Sequence, residues 1–194
     1  NLPHIAKISE NAFENCLLLE GPSEDKYEEL NVDTISSYAF NGDVLLHFTK
    51  ITSKSIGTSS FQYCRNLGAN IFLHGEKANV ADYSFYSCDK LGTLTIDQSH
   101  LNDYQLVGDK DKISIPTYAF AKSGLSGKLL IPNSVDQIND YAFSNCKNIG
   151  EIEIKRQHNI PLTIGKYAFC SSNIGDELLI PRFVTQIQDY AFAK

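Results

Sequence analysis

The chain has 194 residues, enough for one ordinary domain or one solenoid segment, and 42% of them are hydrophobic against 21% charged, the balance of a folded chain rather than a disordered one. Its formal net charge of -6 disfavours a nucleic-acid backbone as partner, since such binding needs basic patches. No run of about 18 apolar residues occurs, so no membrane insertion is expected in this segment.

The first element, "HIAKI", sets Ile5 and Ile8 three apart and leads to Phe13. The same arrangement returns along the chain. Phenylalanines recur at Phe13, Phe40, Phe61, Phe85, Phe120, Phe143, Phe169 and Phe192, at intervals of 27, 21, 24, 35, 23, 26 and 23. Five of them close a Tyr-Ala-Phe triplet. A unit of about 23 residues, lengthened here and there by insertions, marks a stacked-repeat architecture. The eight phenylalanines are the expected structural core, one plug per coil.

Before four of the phenylalanines lies an apolar pair three apart: Ile5 and Ile8, Val32 and Ile35, Val135 and Ile138, Val184 and Ile187. That spacing suits a tight turn or one helical turn. After the Phe, apolar residues fall at +6, +9 and +11, as Leu91, Leu94 and Ile96 and again as Ile149, Ile152 and Ile154. The last two are two apart, which is strand periodicity. "GANIFL", "GKLLIP" and "DELLIP" read as the same strand, and in two of them Pro ends it. The expected fold is an α/β-type repeat solenoid, a right-handed superhelix. It carries short parallel strands on one face and short helical turns or irregular coil on the other. It forms one segment over residues 1–194, of about eight repeats. The chain opens "NLPHIAKI" and closes "YAFAK", so both ends fall inside a repeat and a piece of a longer protein is expected.

The combination Leu-x-x-Ile-x-Ile-Pro, Ser-Val-x-x-Ile-x-x-Tyr-Ala-Phe-x-x-Cys resembles the BspA-like leucine-rich repeats, also called the Treponema pallidum type. Residues 129–154, "LLIPNSVDQINDYAFSNCKNIGEIEI", match it nearly throughout. The resemblance implies a surface or secreted protein that acts by adhesion. Its expected partner is a host matrix or plasma protein, such as fibronectin or fibrinogen, or another cell. Three units depart from the pattern at Phe+3. Asp43 stands there in the second and Ser123 in the fifth, while Cys170 falls at +1 in the seventh.

Chemistry-bearing residues are sparse. Cys16, Cys64, Cys88 and Cys146 all sit at Phe+3 and read as a column of small buried thiols, with one Cys64–Cys88 disulfide left open. The five histidines, His4, His47, His74, His100 and His158, show no ligand spacing. No nucleophile elbow or phosphate loop occurs. No enzyme, cofactor or metal is therefore expected. The triplet tyrosines read as rings packed on the next coil with wet hydroxyls, an aromatic binding ladder being the alternative.

Binding is sought where repetition fails. The insertions are Glu20 to Leu30, Asp97 to Lys112 and Lys155 to Pro161; the second holds Asp103 and Tyr104. The rival surface is the outward strand positions Thr95, Glu153 and Lys155, on an expected concave face. These five residues are the expected protein-binding positions. A structural spacer that self-associates through uncapped ends is the alternative function.

Overall fold

A computed structural model describes residues 5–19, 29–74, 78–97, 112–155, 160–175 and 178–194. Among these residues the coils of the first six phenylalanines have one strand before and one after the aromatic corner, the last two only the strand before it, and all the strand pairs are parallel. The strands that precede the corner are β1 (Ile5–Ile8), the second half of β2 (Glu29–Ile35), β4 (Ser55–Ile56), β6 (Asn79–Val80), β8 (Ile113–Ile115), β10 (Val135–Ile138), β12 (Leu162–Ile164) and β13 (Val184–Ile187). Those that follow it are the first half of β2, β3 (Lys50–Ser53), β5 (Asn70–Leu73), β7 (Leu94–Ile96), β9 (Ser126–Ile131) and β11 (Asn148–Ile154). β2 serves both series. Its residues 29–31 pair with β3, and residues 32–35 pair with β1 and β4. The second strand of one coil thus runs directly into the first strand of the next.

The described residues contain no helix, so the α/β-type reading with short helical turns is corrected to a parallel β-solenoid with two sheet faces. The Val-x-x-Ile stretches are strands. Their three-residue spacing breaks the strand period because they carry one extra residue. Val135 pairs with Ile113 and Gln137 with Ser114, so Asp136 is bulged out. Val184 and Gln186 show the same skip against Leu162 and Thr163. A bulge sets two residues against one, which turns both Val135 and Ile138 into the core.

The corner between the strands is also not helical. Residues two before each core Phe, and two after each of the first seven, have left-handed backbone: Tyr141 and Asn145 at φ 60° and 61°, Tyr118 and Lys122 at 57° and 55°, Tyr167 and Ser171 both at 56°. Alternating handedness cannot propagate a helix. It sends alternate N–H groups in opposite directions. Those of Tyr141, Phe143 and Asn145 donate to the next coil, to carbonyls of Lys166, Ala168 and Cys170 at 2.8–2.9 Å. Those of Ala142, Ser144 and Cys146 close turns within their own coil. The corner is therefore a third hydrogen-bonded column, and it leaves no orphaned donor in that run.

The core is a single stack. The eight phenylalanine rings lie face to face along the axis, centroids 5.1–5.4 Å apart and planes within 10°. Phe61, Phe85, Phe120, Phe143 and Phe169 are fully buried, with Ala119, Ala142 and Ala168 beside them. Phe13, expected in the core, is 38% exposed, because it stacks on Phe40 through one face only. Phe192 is half-buried for the same reason. One expected strand is absent: within "DELLIP", residues 178–180 form no ladder with β11. Leu179 and Ile180 there are 74% and 43% exposed. They stand across an open groove of about 590 Å³ from Ile152 and Ile154.

Candidate functional site: the outer face of the second-strand sheet

The inward positions of β3, β5, β7, β9 and β11 are Ile51, Ile71 and Leu73, Leu94 and Ile96, Leu129 and Ile131, Ile152 and Ile154, all buried. Strand alternation then points the residues between them outward. Register sets Asn31 beside Thr52, Thr52 beside Phe72 and Phe72 beside Thr95. Leu130 lies beside Glu153 at the same repeat position in a separate two-stranded sheet, β9 with β11, which does not pair with β7. Inward residues are aliphatic except Ser53 of β3, which pairs with Leu73 and is fully buried; outward ones differ from coil to coil. That contrast marks the outer column as the part of the scaffold free to carry recognition.

The column has an apolar middle and charged flanks. Phe72 is half-buried, and its ring lies 6.2 Å from that of His74, 19° from parallel. On the C-terminal side Lys128 Nζ bridges Glu151 at 3.0 Å and Glu153 at 2.8 Å. Hydrogen bonding to Lys128 holds the Glu153 carboxyl below its usual range, aided by the charges of Lys128 and Lys155. The same contacts raise Lys128. On the N-terminal side Lys50 meets Glu29 at 3.5 Å. Of the expected positions, Thr95 is exposed at the centre of the column, Glu153 is half-buried and engaged with Lys128, and Lys155 is exposed just beyond β11. Asp103 and Tyr104 lie outside the described residues. So do nearly all of the first two insertions and the middle of the third.

A second surface feature runs along the corner. Tyr83, Tyr118, Tyr141, Tyr167 and Tyr190 stack face to face at 4.6–5.0 Å, planes within 12°. The inner three rings are covered on both faces, so the ladder presents their edges, and Tyr190 at its end is 63% exposed. Partial burial, with neighbouring phenols, raises the Tyr118 hydroxyl. Lys122 Nζ sits 5.4 Å over the Tyr86 ring. Tyr83 belongs to a Tyr-Ser-Phe triplet and was not legible from the Tyr-Ala-Phe repetition; its place two before Phe85 is the signal that finds it. Tyr38, a triplet tyrosine, stands outside the ladder, since the next coil has Ser59 at that position.

The Phe+3 column has a definite job. The thiols of Cys64, Cys88 and Cys146 donate to the carbonyls of Phe40, Phe61 and Phe120 in the preceding coil, at 3.0, 2.9 and 3.1 Å. Ser172 donates in the same way to Phe143 at 2.6 Å. All five cysteines are free, and burial raises the Cys146 thiol to about 11. Cys16, expected in the buried column, is exposed, since among the described residues no coil packs on that side of it. Among the described residues no three His, Cys, Asp or Glu side chains converge as a metal site. His47 and His74 are described; His4, His100 and His158 are not.

The family described as BspA type leucine rich repeat region matches the chain in six copies, over residues 1–106 and 110–194. No curated protein matches. Among solved structures, a leucine rich cell surface protein from Faecalibacterium prausnitzii is similar at 17% identity, over 97% of this chain and 74% of that one, with a TM-score of 0.28.

Proposed function

Because the chain belongs to the BspA-type leucine-rich-repeat family, we propose that it is a non-enzymatic protein-binding scaffold of a cell-surface or secreted protein. Its role in this reading is adhesion to host matrix or plasma proteins or to other cells. The observation that carries the reading is the outer column of the second-strand sheet. Asn31, Thr52, Phe72, Thr95, Leu130 and Glu153 vary over a rigid, uniform core. Phe72 and Leu130 supply apolar contact, and the Lys128, Glu151 and Glu153 cluster supplies charge at one side. Such a surface makes many shallow contacts with an extended protein partner.

Immobilised fibronectin and fibrinogen test it directly. The chain is expected to bind at least one of them, and Phe72→Ala with Thr95→Arg is expected to lower that binding at least tenfold. Gln137→Arg, exposed on the other sheet, is expected to leave it unchanged. No binding above background, or equal loss with Gln137→Arg, overturns the reading.

A second reading, a spacer that self-associates by stacking coil on coil, draws on the apolar outer faces of the terminal described coils. Phe13 lies at one, with Ile187 and Tyr190 at the other. Open heterologous contacts of this kind lengthen without closing. Light scattering should then grow with concentration and collapse in Ile187→Lys with Tyr190→Glu. Growth that is unaltered by those changes rejects it.

A further inference from the structure

One coil puts a carboxyl in the donor column. At Phe+3, where Cys64, Cys88, Cys146 and Ser172 each donate to the phenylalanine carbonyl above and Ser123 instead meets the Cys146 thiol at 3.5 Å, the second coil has Asp43. Its side chain is fully enclosed, at 0% exposure. Neither carboxyl oxygen meets a hydrogen-bond partner. A buried carboxylate can only accept, and an unpaired one is costly. A carboxylic acid, by contrast, has the one donor that this position uses in Cys64, Cys88, Cys146 and Ser172. The carbonyl above Asp43 is that of Phe13, which already accepts the Cys16 N–H at 3.1 Å. The Phe143 carbonyl takes both an N–H, from Cys146, and the Ser172 hydroxyl, so two donors at one such oxygen are ordinary here.

We propose that Asp43 makes the contact between the first and second coils proton-dependent. The contact is closed while the carboxyl carries a proton donated to the Phe13 carbonyl, and it is loosened when the carboxyl ionises. The titratable groups at the same corner of the neighbouring coils are Glu14 and Cys16 above, and Tyr63, Cys64 and Arg65 below. Asn41 Nδ2 takes up Glu14 at 3.0 Å, and the Cys64 thiol points to the Phe40 carbonyl. Burial pushes the Asp43 carboxyl up from 3.8 to about 6; the Cys16 N–H, whose hydrogen bond goes to the Phe13 carbonyl, opposes this only as a nearby dipole. The Asp43 charge in turn helps to hold the Cys64 thiol protonated, behind the larger effect of burial.

The sign follows from linkage. A carboxyl held above its ordinary value binds its proton more tightly in the folded state. The stability it contributes is complete at low pH and is lost as pH rises through about 6. The loosening is local, because a solenoid coil contacts only its neighbours. The first coil therefore opens as pH rises from mildly acidic to neutral, while the middle of the stack holds.

Amide hydrogen exchange by mass spectrometry, corrected for the intrinsic pH dependence of exchange, reads this opening. Between pH 5 and pH 7.5 protection over residues 5–19 and 36–46 is expected to fall about tenfold or more, while residues 138–154 stay level. Asp43→Cys restores the column's donor and is expected to flatten the profile. Asp43→Asn, which donates at every pH, is expected to do the same and serves if the cysteine variant misfolds. The proposal fails if wild type shows no pH dependence in the first coil, if protection falls equally throughout, or if both variants keep the wild-type profile.

Discussion

Phe120 and Phe143 lie face to face, ring centroids 5.4 Å apart and planes 6° from parallel, though 23 residues separate them in the chain. Each is the plug of its own coil and a wall of its neighbour's. Their backbones follow the same step, the Phe120 N–H donating to the Ala142 carbonyl at 2.9 Å. Ring stack and hydrogen-bond column therefore share one repeat distance, and neither can slip without the other.

Truncating a plug should cost according to how many coils it touches. Phe143 is fully buried and stacked on both faces. Phe143→Ala is expected to lose about 3–5 kcal/mol. Phe13, stacked on one face and 38% exposed, should lose about a third of that in Phe13→Ala. Chemical denaturation of the two variants checks the contrast; a Phe143→Ala loss below about 1 kcal/mol would remove it from the core.

The left-handed corner makes an opposite prediction for a residue with little packing. Ser171 has φ 56°, a conformation glycine adopts without strain. Ser171→Gly is expected to stabilise by about 0.5–1 kcal/mol, and Ser171→Val to destabilise by at least about 1 kcal/mol. Thermal melts of the pair separate a backbone effect from a lost side-chain contact, since both remove the hydroxyl.

Much of this fold was legible before any coordinates. The Phe spacing exposed the coil, and the +9/+11 pair identified the second strand, because both follow a fixed period. The first strand was hidden by its own bulge. Asp136 is the extra residue that shifts Val135 and Ile138 from a two-residue to a three-residue spacing, which imitates a helical turn. The corner was hidden by residue type, since Tyr141 is not a residue that ordinarily signals left-handed backbone. Of the expected binding positions, the outward placing of Thr95 and Glu153 follows from strand alternation alone, but the bridge from Glu153 to Lys128 joins adjacent coils and no local pattern reports it. Asp43 was visible as a departure. Its consequence needed the thiol-to-carbonyl bonds of the intact column.

The tyrosine ladder should behave as packing with a wet edge. Tyr141 stacks on Tyr118 and Tyr167 at 4.6 and 4.8 Å, whereas Tyr190 stacks on Tyr167 alone. Aromatic pairs contribute about 0.5–1.5 kcal/mol each, so Tyr141→Ala is expected to cost about twice what Tyr190→Ala costs. Tyr141→Phe keeps the rings and should stay within about 0.5 kcal/mol of wild type. Equal losses for the two alanine variants would mean that the stack is geometric and carries no energy.

The buried thiols give a test by reactivity and by pH. Cys64, Cys88 and Cys146 are enclosed and each donates to a carbonyl; Cys16 is exposed. Only a thiolate alkylates readily, and burial raises the Cys146 thiol to about 11. At pH 8 an alkylating reagent is expected to label Cys16 quickly and the three buried thiols only as the coils open. A raised thiol contributes stability that is full below the ordinary value of 9.0 and is lost as pH climbs toward about 11. Denaturation midpoints should therefore fall in that window, and less so in Cys146→Ser, whose hydroxyl does not titrate there. Ser172 already makes that hydroxyl-to-carbonyl bond one coil further on, to Phe143. Cys146→Ser is accordingly expected to lose under about 1.5 kcal/mol, while Cys146→Val, with no donor for the Phe120 carbonyl, should lose more. If valine proves as stable as serine, the thiol acts as a filler, and its bond to the carbonyl contributes nothing to the stack.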